Sequence, residues 1–191
     1  MPTLSELTWP RKTRRLSLRI AVEADLVPMW EIRRLDEVGR WMTEASKDKD
    51  AFLAKAREDG RLGSTLSVEL DGAYVGDLML RIESPWAQGE VKELAANTQA
   101  EIGWCLDPAV QGQGFGTEAA AELIRIGFED LGLRRLVANC FADNEPSWRI
   151  MERLGMRREA YCVKDSLHRS GEWMDGMVYA LLADEWREAV G

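Results

Sequence analysis

The chain of 191 residues is long enough to enclose one sizeable hydrophobic core and is short for two domains. With 46% hydrophobic and 30% charged residues, it has the composition of a folded globular protein rather than a disordered one. The chain has 25 Lys and Arg and 33 Asp and Glu, so its net charge is −8. This charge argues against non-specific nucleic-acid binding, but it does not exclude a local basic pocket.

The first third of the sequence predicts one strand and two helices. Alternating apolar and polar residues predict a strand at Arg15–Ile20. The next segment, 21–35, predicts a helix with Asp25 as its cap. A second amphipathic helix is predicted at Lys49–Arg57, ended by a turn at Asp59–Gly60.

The middle of the sequence predicts a β-hairpin followed by a polar loop and a strand. Two alternating runs at 64–82 are joined by Asp71–Gly72, a favoured two-residue hairpin turn. The segment Glu83–Gln99 is polar and irregular except for a short helix at 90–97. A further strand is predicted at Glu101–Leu106.

The last third predicts two helices and three strands. Helical apolar spacing covers Gly116–Leu131, and a buried strand is predicted at 134–141. A helix is predicted to begin at Asn144 and stop at Gly155, and two more strands are expected at 158–167 and 173–182. Since strands and helices are mixed, the whole chain, residues 1–191, is expected to form a single α/β domain.

Several classes of site are disfavoured by the residues present. The three cysteines, Cys105, Cys140 and Cys162, are widely spaced and contain no CxxC pair, so neither a disulfide framework nor a zinc site is expected. The single histidine, His168, removes any site that needs two imidazoles, and no metal site is expected. No apolar run could span a bilayer and residues 1–15 lack an apolar signal core, so we expect a cytoplasmic protein without membrane partners.

The clearest chemical signal is the glycine-rich segment VQGQGFGTEAA, residues 110–120. Gly112, Gly114 and Gly116 allow successive backbone N–H groups to turn inward at the beginning of a helix. Such N–H groups, with the partial positive charge of a helix N-terminus, suit phosphate oxygens. The alternative is a plain tight turn with no ligand.

Two familiar phosphate motifs fit this segment poorly. A P-loop requires Lys followed by Ser or Thr after its last glycine, where this chain has Thr117 and Glu118. The dinucleotide pattern GxGxxG, started at Gly112, would place its third glycine at position 117, which is Thr.

The segment Gln111–Gly116 instead matches Q/R-x-x-G-x-G/A, the pyrophosphate loop of the GNAT superfamily of acyl-CoA-dependent N-acyltransferases. The resemblance extends from Arg15 to about Trp186 and is strongest to the branch that contains the ribosomal-protein alanine N-acetyltransferases. The segments that resemble this branch are LRIAVEADLVPMWEI, AEIGWCLDPAVQGQGFGTEAA, NEPSWRIMERLGM and GEWMDGMVYALLADEW. The resemblance implies the GNAT fold, of α/β (α+β) class, with a single mixed, mostly antiparallel sheet of six to seven strands flanked by about four helices.

The resemblance also implies acetyl-CoA as the acetyl donor and assigns residues to it. The residues expected to hold the pyrophosphate are Gln111, Gly112, Gln113, Gly114, Phe115, Gly116 and Thr117. The backbone of Trp104, Cys105 and Leu106 is expected to meet the oxyanion, where similar proteins separate two strands to admit the pantetheine arm. The side chains of Trp104 and Cys105 are expected to belong to the core or to a groove wall.

Three side chains are expected at the reacting end of the donor. Glu101 is the candidate base, since the matching glutamate in similar enzymes often acts through a water; the alternative is an ordinary solvent-facing strand residue. Asn144 matches a residue that contacts the pantetheine arm, although helix capping alone would explain it. Ser147 could position or protonate the leaving thiolate, because Met151 stands where many GNAT enzymes carry a tyrosine.

The acceptor and the partners are less defined by the sequence. The expected acceptor is a primary amine, either a protein N-terminus or a small molecule, and the charge of −8 favours a cationic one. The long polar loop Glu83–Gln99 is expected to shape the acceptor site. A homodimer is expected from the resemblance. A non-catalytic acyl-CoA-binding regulatory domain and an enzyme for another acyl-CoA donor remain alternatives.

Overall fold

The computed structural model describes residues 2–58 and 61–190, so the turn expected at Asp59–Gly60 lies outside the described residues. The strands are β1 (Arg11–Lys12), β2 (Leu16–Ile20), β3 (Thr65–Leu70), β4 (Ala73–Glu83), β5 (Gln99–Leu106), β6 (Arg135–Phe141), β7 (Arg157–Leu167) and β8 (Trp173–Leu182). The α-helices are α1 (Leu26–Arg33), α2 (Asp36–Gly39), α3 (Lys49–Glu58), α4 (Lys92–Ala95), α5 (Phe115–Arg125), α6 (Glu145–Arg153) and α7 (Ala183–Val190).

The strands form one mixed sheet in the order β1-β2-β3-β4-β5-β6-β8-β7, which confirms the expected fold class. The described residues contain eight strands and seven α-helices, more than the six to seven strands and about four helices expected. The additional strand, β1, has only two residues, too few for an alternating pattern. The additional helices are short, and α7 follows β8 without a turn signal between them.

One compact unit contains residues 2–79 and 104–122. Its strands β2 and β3 pair antiparallel, and Asp71–Gly72 joins β3 to β4 as expected. Helices α1 and α3 share an apolar cluster of Leu26, Met29, Phe52 and Ala56. The hydrophobic faces predicted for these two helices therefore form part of the core of this unit.

Asp25 differs from its expected role as a helix cap. It stands at the N-cap position of α1, but its side chain makes no capping hydrogen bond. Instead its carboxylate accepts two hydrogen bonds from the Arg19 guanidinium, at 2.6 and 2.8 Å, and a third from the hydroxyl of Ser67 at 2.8 Å. Asp25 therefore ties β2 and β3 to the start of α1.

The other unit contains residues 80–103 and 123–190. Here β5 and β6 pair in parallel through Gln99–Glu101 and Arg135–Val137, while β8 pairs antiparallel with β6 and with β7. The helix expected at 116–131 begins at Phe115, among the residues of the first unit, and changes to a π-helical turn at Ile126–Asp130 in this one.

Candidate active site

The glycine-rich loop lies between a short 3-10 turn and α5. The turn, Pro108–Val110, is capped by Asp107, whose carboxylate accepts a hydrogen bond from the Ala109 N–H at 2.8 Å. Gly112 and Gly114 have φ of 75° and 82°, the left-handed region that glycine adopts easily. The third glycine, Gly116, instead lies in the first turn of α5.

This geometry leaves the loop open toward solvent. Residues 111–114 are exposed, and a Cβ built on Gly112 would meet no atom within 4 Å. The first N–H groups of an α-helix have no carbonyl partner within the helix, so the first turn of α5, Phe115–Thr117, offers donors beside the loop. The residues present therefore fit a phosphate or diphosphate group.

The segment Trp104–Leu106 forms the end of β5. Cys105 is buried, and burial raises the pKa of its thiol to about 12, so it is a core residue rather than a nucleophile, as expected. A Cβ on Gly76 would overlap the carbonyl oxygen of Cys105 and lie 2.9 Å from Cα of Leu106. Only glycine at position 76 allows β4 to approach this part of β5 so closely.

A buried polar network lies beside this segment and was not predicted from the sequence. The Arg33 guanidinium donates a 2.5 Å hydrogen bond to Asp77, and the Tyr74 hydroxyl donates to the other carboxylate oxygen at 3.1 Å. Burial raises the pKa of Tyr74, and the adjacent Asp77 carboxylate reinforces that shift. For Arg33, burial opposes the charged form, but the attraction of Asp77 outweighs it and raises the pKa.

Glu101 is held by two side chains at the last paired position of the parallel β5–β6 ladder. Arg81 on β4 donates to one carboxylate oxygen, and the Asn139 amide on β6 donates to the other at 3.1 Å. Arg81 also donates to Glu83 at 3.0 Å. The carboxylate is thus fixed at the point where β5 and β6 stop pairing. No local pattern in the sequence indicated Arg81 or Asn139 as its partners.

Asn144 and Ser147 occupy the first turn of α6. Asn144 is at the N-cap position, but its side chain makes no capping bond, so the expected capping role is wrong for the amide. Its backbone carbonyl accepts the N–H of Ser147 at 3.0 Å. Over the residues that the structure describes, neither the Asn144 amide nor the Ser147 hydroxyl has a side-chain hydrogen-bond partner. Both groups are therefore available to a ligand. Met151, one turn after Ser147 on α6, is buried.

The segment between β4 and β5 carries large exposed apolar side chains. The helix expected at 90–97 is a 3-10 turn at Gly89–Val91 followed by the short helix α4 at Lys92–Ala95. Trp86 is 88% exposed and Leu94 is 80% exposed. This segment lies in the same compact unit as the candidate base Glu101.

An open depression of about 540 Å³ lies at the β7–β8 hairpin, where sequence analysis predicted no site. Its lining residues are Asp143, Lys164, Glu172, Trp173, Met174 and Asp175. The Asp175 carboxylate is already engaged, since it accepts hydrogen bonds from the Tyr161 hydroxyl at 2.6 Å and the Lys164 N–H at 2.8 Å.

Comparison with known families identifies the class of protein that this fold and loop represent. The profile of the acetyltransferase (GNAT) domain matches residues 15–157, well over half of the chain. The chain therefore belongs to the GNAT acetyltransferase family, which confirms the resemblance drawn from its sequence.

Relatives named as N-acetyltransferases extend this finding. The chain is 29% identical over 177 residues to the uncharacterized N-acetyltransferase YnaD of Bacillus subtilis, covering 91% of this chain and 97% of that protein. Over 85 residues it is 32% identical to the [ribosomal protein uS5]-alanine N-acetyltransferase of Escherichia coli, covering 44% and 43% of the two chains.

Solved structures agree in fold. A GNAT-family acetyltransferase from Bacillus anthracis superposes with a TM-score of 0.75 at 29% identity, covering 91% of this chain and 98% of that one. RimL, a ribosomal L7/L12 α-N-protein acetyltransferase in complex with coenzyme A, has a TM-score of 0.75 at 19% identity, covering 91% and 97%.

Within residues 2–58 and 61–190, no helix is both long and apolar enough to cross a bilayer.

Proposed function

We propose that the chain transfers the acetyl group of acetyl-CoA directly to a primary amine through a tetrahedral intermediate. The observation that carries this proposal is the open loop Gln111–Gly114, with two left-handed glycines, leading into the first turn of α5. Family membership adds the acetyltransferase class.

In this proposal the donor is held by its diphosphate and its pantetheine arm. The loop Gln111–Gly114 and the first turn of α5, Phe115–Thr117, bind the diphosphate through backbone N–H groups. The unpaired amide of Asn144 hydrogen-bonds the pantetheine arm. Backbone N–H groups in Trp104–Leu106 stabilise the oxyanion.

The proton steps are assigned to two side chains. An amine near neutral pH is mostly protonated, so a base must remove a proton before the nitrogen attacks the thioester carbon. Glu101, fixed by Arg81 and Asn139, accepts that proton directly or through a water. When the tetrahedral intermediate collapses, the C–S bond breaks, the extra proton on its nitrogen passes to the leaving thiolate, and the Ser147 hydroxyl hydrogen-bonds that sulfur.

The acceptor is assigned to the class of primary amines, including protein N-termini. The relatives named for ribosomal proteins support a protein acceptor, and the net charge of −8 favours a cationic one. We assign acceptor selection to the segment 84–98, because exposed Trp86 and Leu94 lie on the stretch that leads to Glu101.

A non-catalytic acyl-CoA-binding regulatory domain is the second candidate function. It is favoured by Met151, which is buried where many GNAT enzymes place a tyrosine acid. This alternative predicts CoA binding without any acetylated product.

The direct experiment mixes the protein, acetyl-CoA and a panel of amines, and follows the release of free thiol. We expect turnover with at least one amine and CoA binding by calorimetry. CoA binding without turnover on any amine would favour the regulatory domain, and absence of both would refute the family-based proposal for the donor.

The role of the 84–98 segment has its own experiment. Replacing Trp86 and Leu94 by Ala is expected to change the ranking of amines in the panel and to leave CoA affinity unaltered. Val163→Ala, on an exposed residue of β7, is the control for loss of exposed apolar surface. An unchanged ranking of acceptors would contradict the assignment.

Three further features belong to the proposal. Residues 1–191 act as one acetyltransferase domain, and β4 and β5 contribute residues to both compact units. The protein forms a homodimer, which sedimentation velocity would test. Its location is the cytoplasm, where the three free cysteines would stay reduced.

A further inference from the structure

Arg15, which precedes β2, makes a set of contacts with the glycine-rich loop that the GNAT loop pattern does not include. Its Nη1 donates to the carbonyl oxygen of Gln113 at 2.9 Å. Its guanidinium carbon lies 4.1 Å from the centre of the Phe115 ring. A Cβ on Gly114 would lie 3.5 Å from its Nη2. One side chain thus contacts Gln113 and Phe115, the residues on either side of Gly114, where the loop enters α5.

The hydrogen bond to Gln113 fixes the direction of a loop N–H group. In a planar trans peptide the C=O of residue 113 and the N–H of residue 114 point in opposite directions. Because Arg15 binds the Gln113 carbonyl, the Gly114 N–H points away from Arg15. Arg15 therefore orients one of the donors that an anion on this loop would use.

Arg15 also neutralises a carboxylate near the proposed diphosphate position. Glu118 lies in the first turn of α5, and its two oxygens accept hydrogen bonds from Arg15 Nε at 2.7 Å, Arg15 N at 2.8 Å and the Thr13 hydroxyl at 2.6 Å. Burial opposes ionisation of Glu118, but the bonds from Thr13 and Arg15 outweigh it and lower its pKa. Without Arg15, this ionised carboxylate would repel a diphosphate at the same helix end.

We propose that Arg15 is a positioning residue that makes the loop selective for donors with a diphosphate. This inference rests on the proposed function, because the diphosphate is that of acetyl-CoA. Arg15 acts through the loop backbone and through Glu118. It therefore affects binding of the diphosphate, which is remote from the thioester. Replacing Arg15 should lower kcat/KM for acetyl-CoA and leave kcat/KM unaltered for a donor without a diphosphate.

The test compares two acetyl donors, acetyl-CoA and S-acetylpantetheine, which has the thioester but no diphosphate. For Arg15→Gln we expect kcat/KM with acetyl-CoA to fall roughly tenfold to a hundredfold, the effect of one lost charge-assisted hydrogen bond. We expect the rate with S-acetylpantetheine to stay within about twofold of the wild type. Arg14→Gln removes the same charge one residue earlier and should change neither rate, apart from a small steering effect.

Two further measurements keep the outcome decisive. Arg15→Lys keeps the charge but not the planar fork, so its acetyl-CoA rate should lie between those of the wild type and Arg15→Gln. Hydrogen exchange of the amides at 112–116 should be faster in Arg15→Gln than in Arg14→Gln, because the loop loses its support. Equal losses with both donors, or no loss with either, would overturn the proposal.

Failure of the proposed function gives a different result. If the wild type binds no CoA, acetyl transfer by this chain is refuted independently of Arg15. The comparison of hydrogen exchange then tests only whether Arg15 positions the loop. Equal exchange rates in Arg15→Gln and Arg14→Gln would overturn that role. If Arg15→Gln does not fold, Arg15→Lys with both donors provides the same decision.

Discussion

Asp77, in the middle of β4, and Arg81, near its end, each belong to an arginine–carboxylate pair, and the two pairs differ in their surroundings. Asp77 pairs with Arg33, and their side chains are 4% and 8% exposed. Arg81 pairs with Glu101, and these side chains are 56% and 22% exposed. The first pair is shielded from water, whereas the second is exposed on its arginine side.

This difference separates a structural role from a chemical one. A buried carboxylate paired with a guanidinium and a tyrosine hydroxyl cannot rearrange without leaving charge uncompensated, so Asp77 fixes β4 beside Cys105. A pair that is exposed on its arginine side adds little to stability, and Arg81 donates to Glu83 as well as to Glu101. Changes at Asp77 should therefore affect stability, and changes at Glu101 should affect turnover.

The largest expected effect follows from Asp77→Ala, which leaves the buried Arg33 charge without its partner. We expect the free energy of unfolding to fall by about 3 to 5 kcal/mol, measured by urea denaturation. The control Arg33→Met with Tyr74→Phe and Asp77→Leu replaces the whole network by apolar groups and should recover most of the loss. A loss of less than about 1 kcal/mol in Asp77→Ala would show that the pair is not buried in solution.

The next effect should be on activity rather than stability. Glu101→Gln keeps the shape of the side chain but removes the proposed proton acceptor, so kcat/KM should fall roughly 10²- to 10⁴-fold. CoA affinity and the free energy of unfolding should change little. Glu90→Gln, on an exposed residue of the neighbouring segment, is the matched control. Retention of full activity in Glu101→Gln would assign the base to another group.

A third arginine–carboxylate pair is partly exposed and gives a pH-dependent contribution of intermediate size. The bidentate hydrogen bonds from Arg135, opposed by partial burial and reinforced by Arg157, lower the pKa of Glu159 to about 2. Since this pKa is below the ordinary value of 4.5, the pair stabilises the fold above pH 4.5, and this is lost as the pH falls from 4.5 toward 2.

Thermal unfolding over this pH range checks the contribution of Glu159. Glu159→Gln should remove about 1 kcal/mol of stability at pH 6 and lose less on acidification than the wild type. Parallel pH curves for the two proteins would contradict the prediction.

The smallest expected effect is that of Arg81→Gln on stability. Because the pair with Glu101 is solvated on the arginine side, the free energy of unfolding should change by less than about 1 kcal/mol, as measured by urea denaturation. A loss comparable to that of Asp77→Ala would remove the distinction between the two pairs.

The sequence predicted features that are encoded locally. Asp71–Gly72 specified the β3–β4 turn, helical spacing specified α5, and the start and stop residues Asn144 and Gly155 specified α6. Gly112 and Gly114 have left-handed φ, as a turn built on glycines would. In each case neighbouring residues determine the structure through backbone preference or periodicity.

Features that depend on distant residues were not predicted. Arg33 and Asp77 are far apart in the sequence, and their pairing depends on how α1 packs on β4. The same holds for Arg15 with Glu118. Asn144 is a local prediction that is wrong, since its residue type predicted a side-chain cap and the structure does not form one. Residue preferences thus indicated positions but not long-range partners.

The parallel ladder between β5 and β6 has a consequence for the order of folding. The hairpin β7–β8 can close through a short turn, but residues 99–101 reach 135–137 only after the chain that carries α5 has been made and packed. We therefore expect Glu101 to reach its final position late, after the local hairpins have formed. On this view the folding chain closes its hairpins before it positions its candidate base.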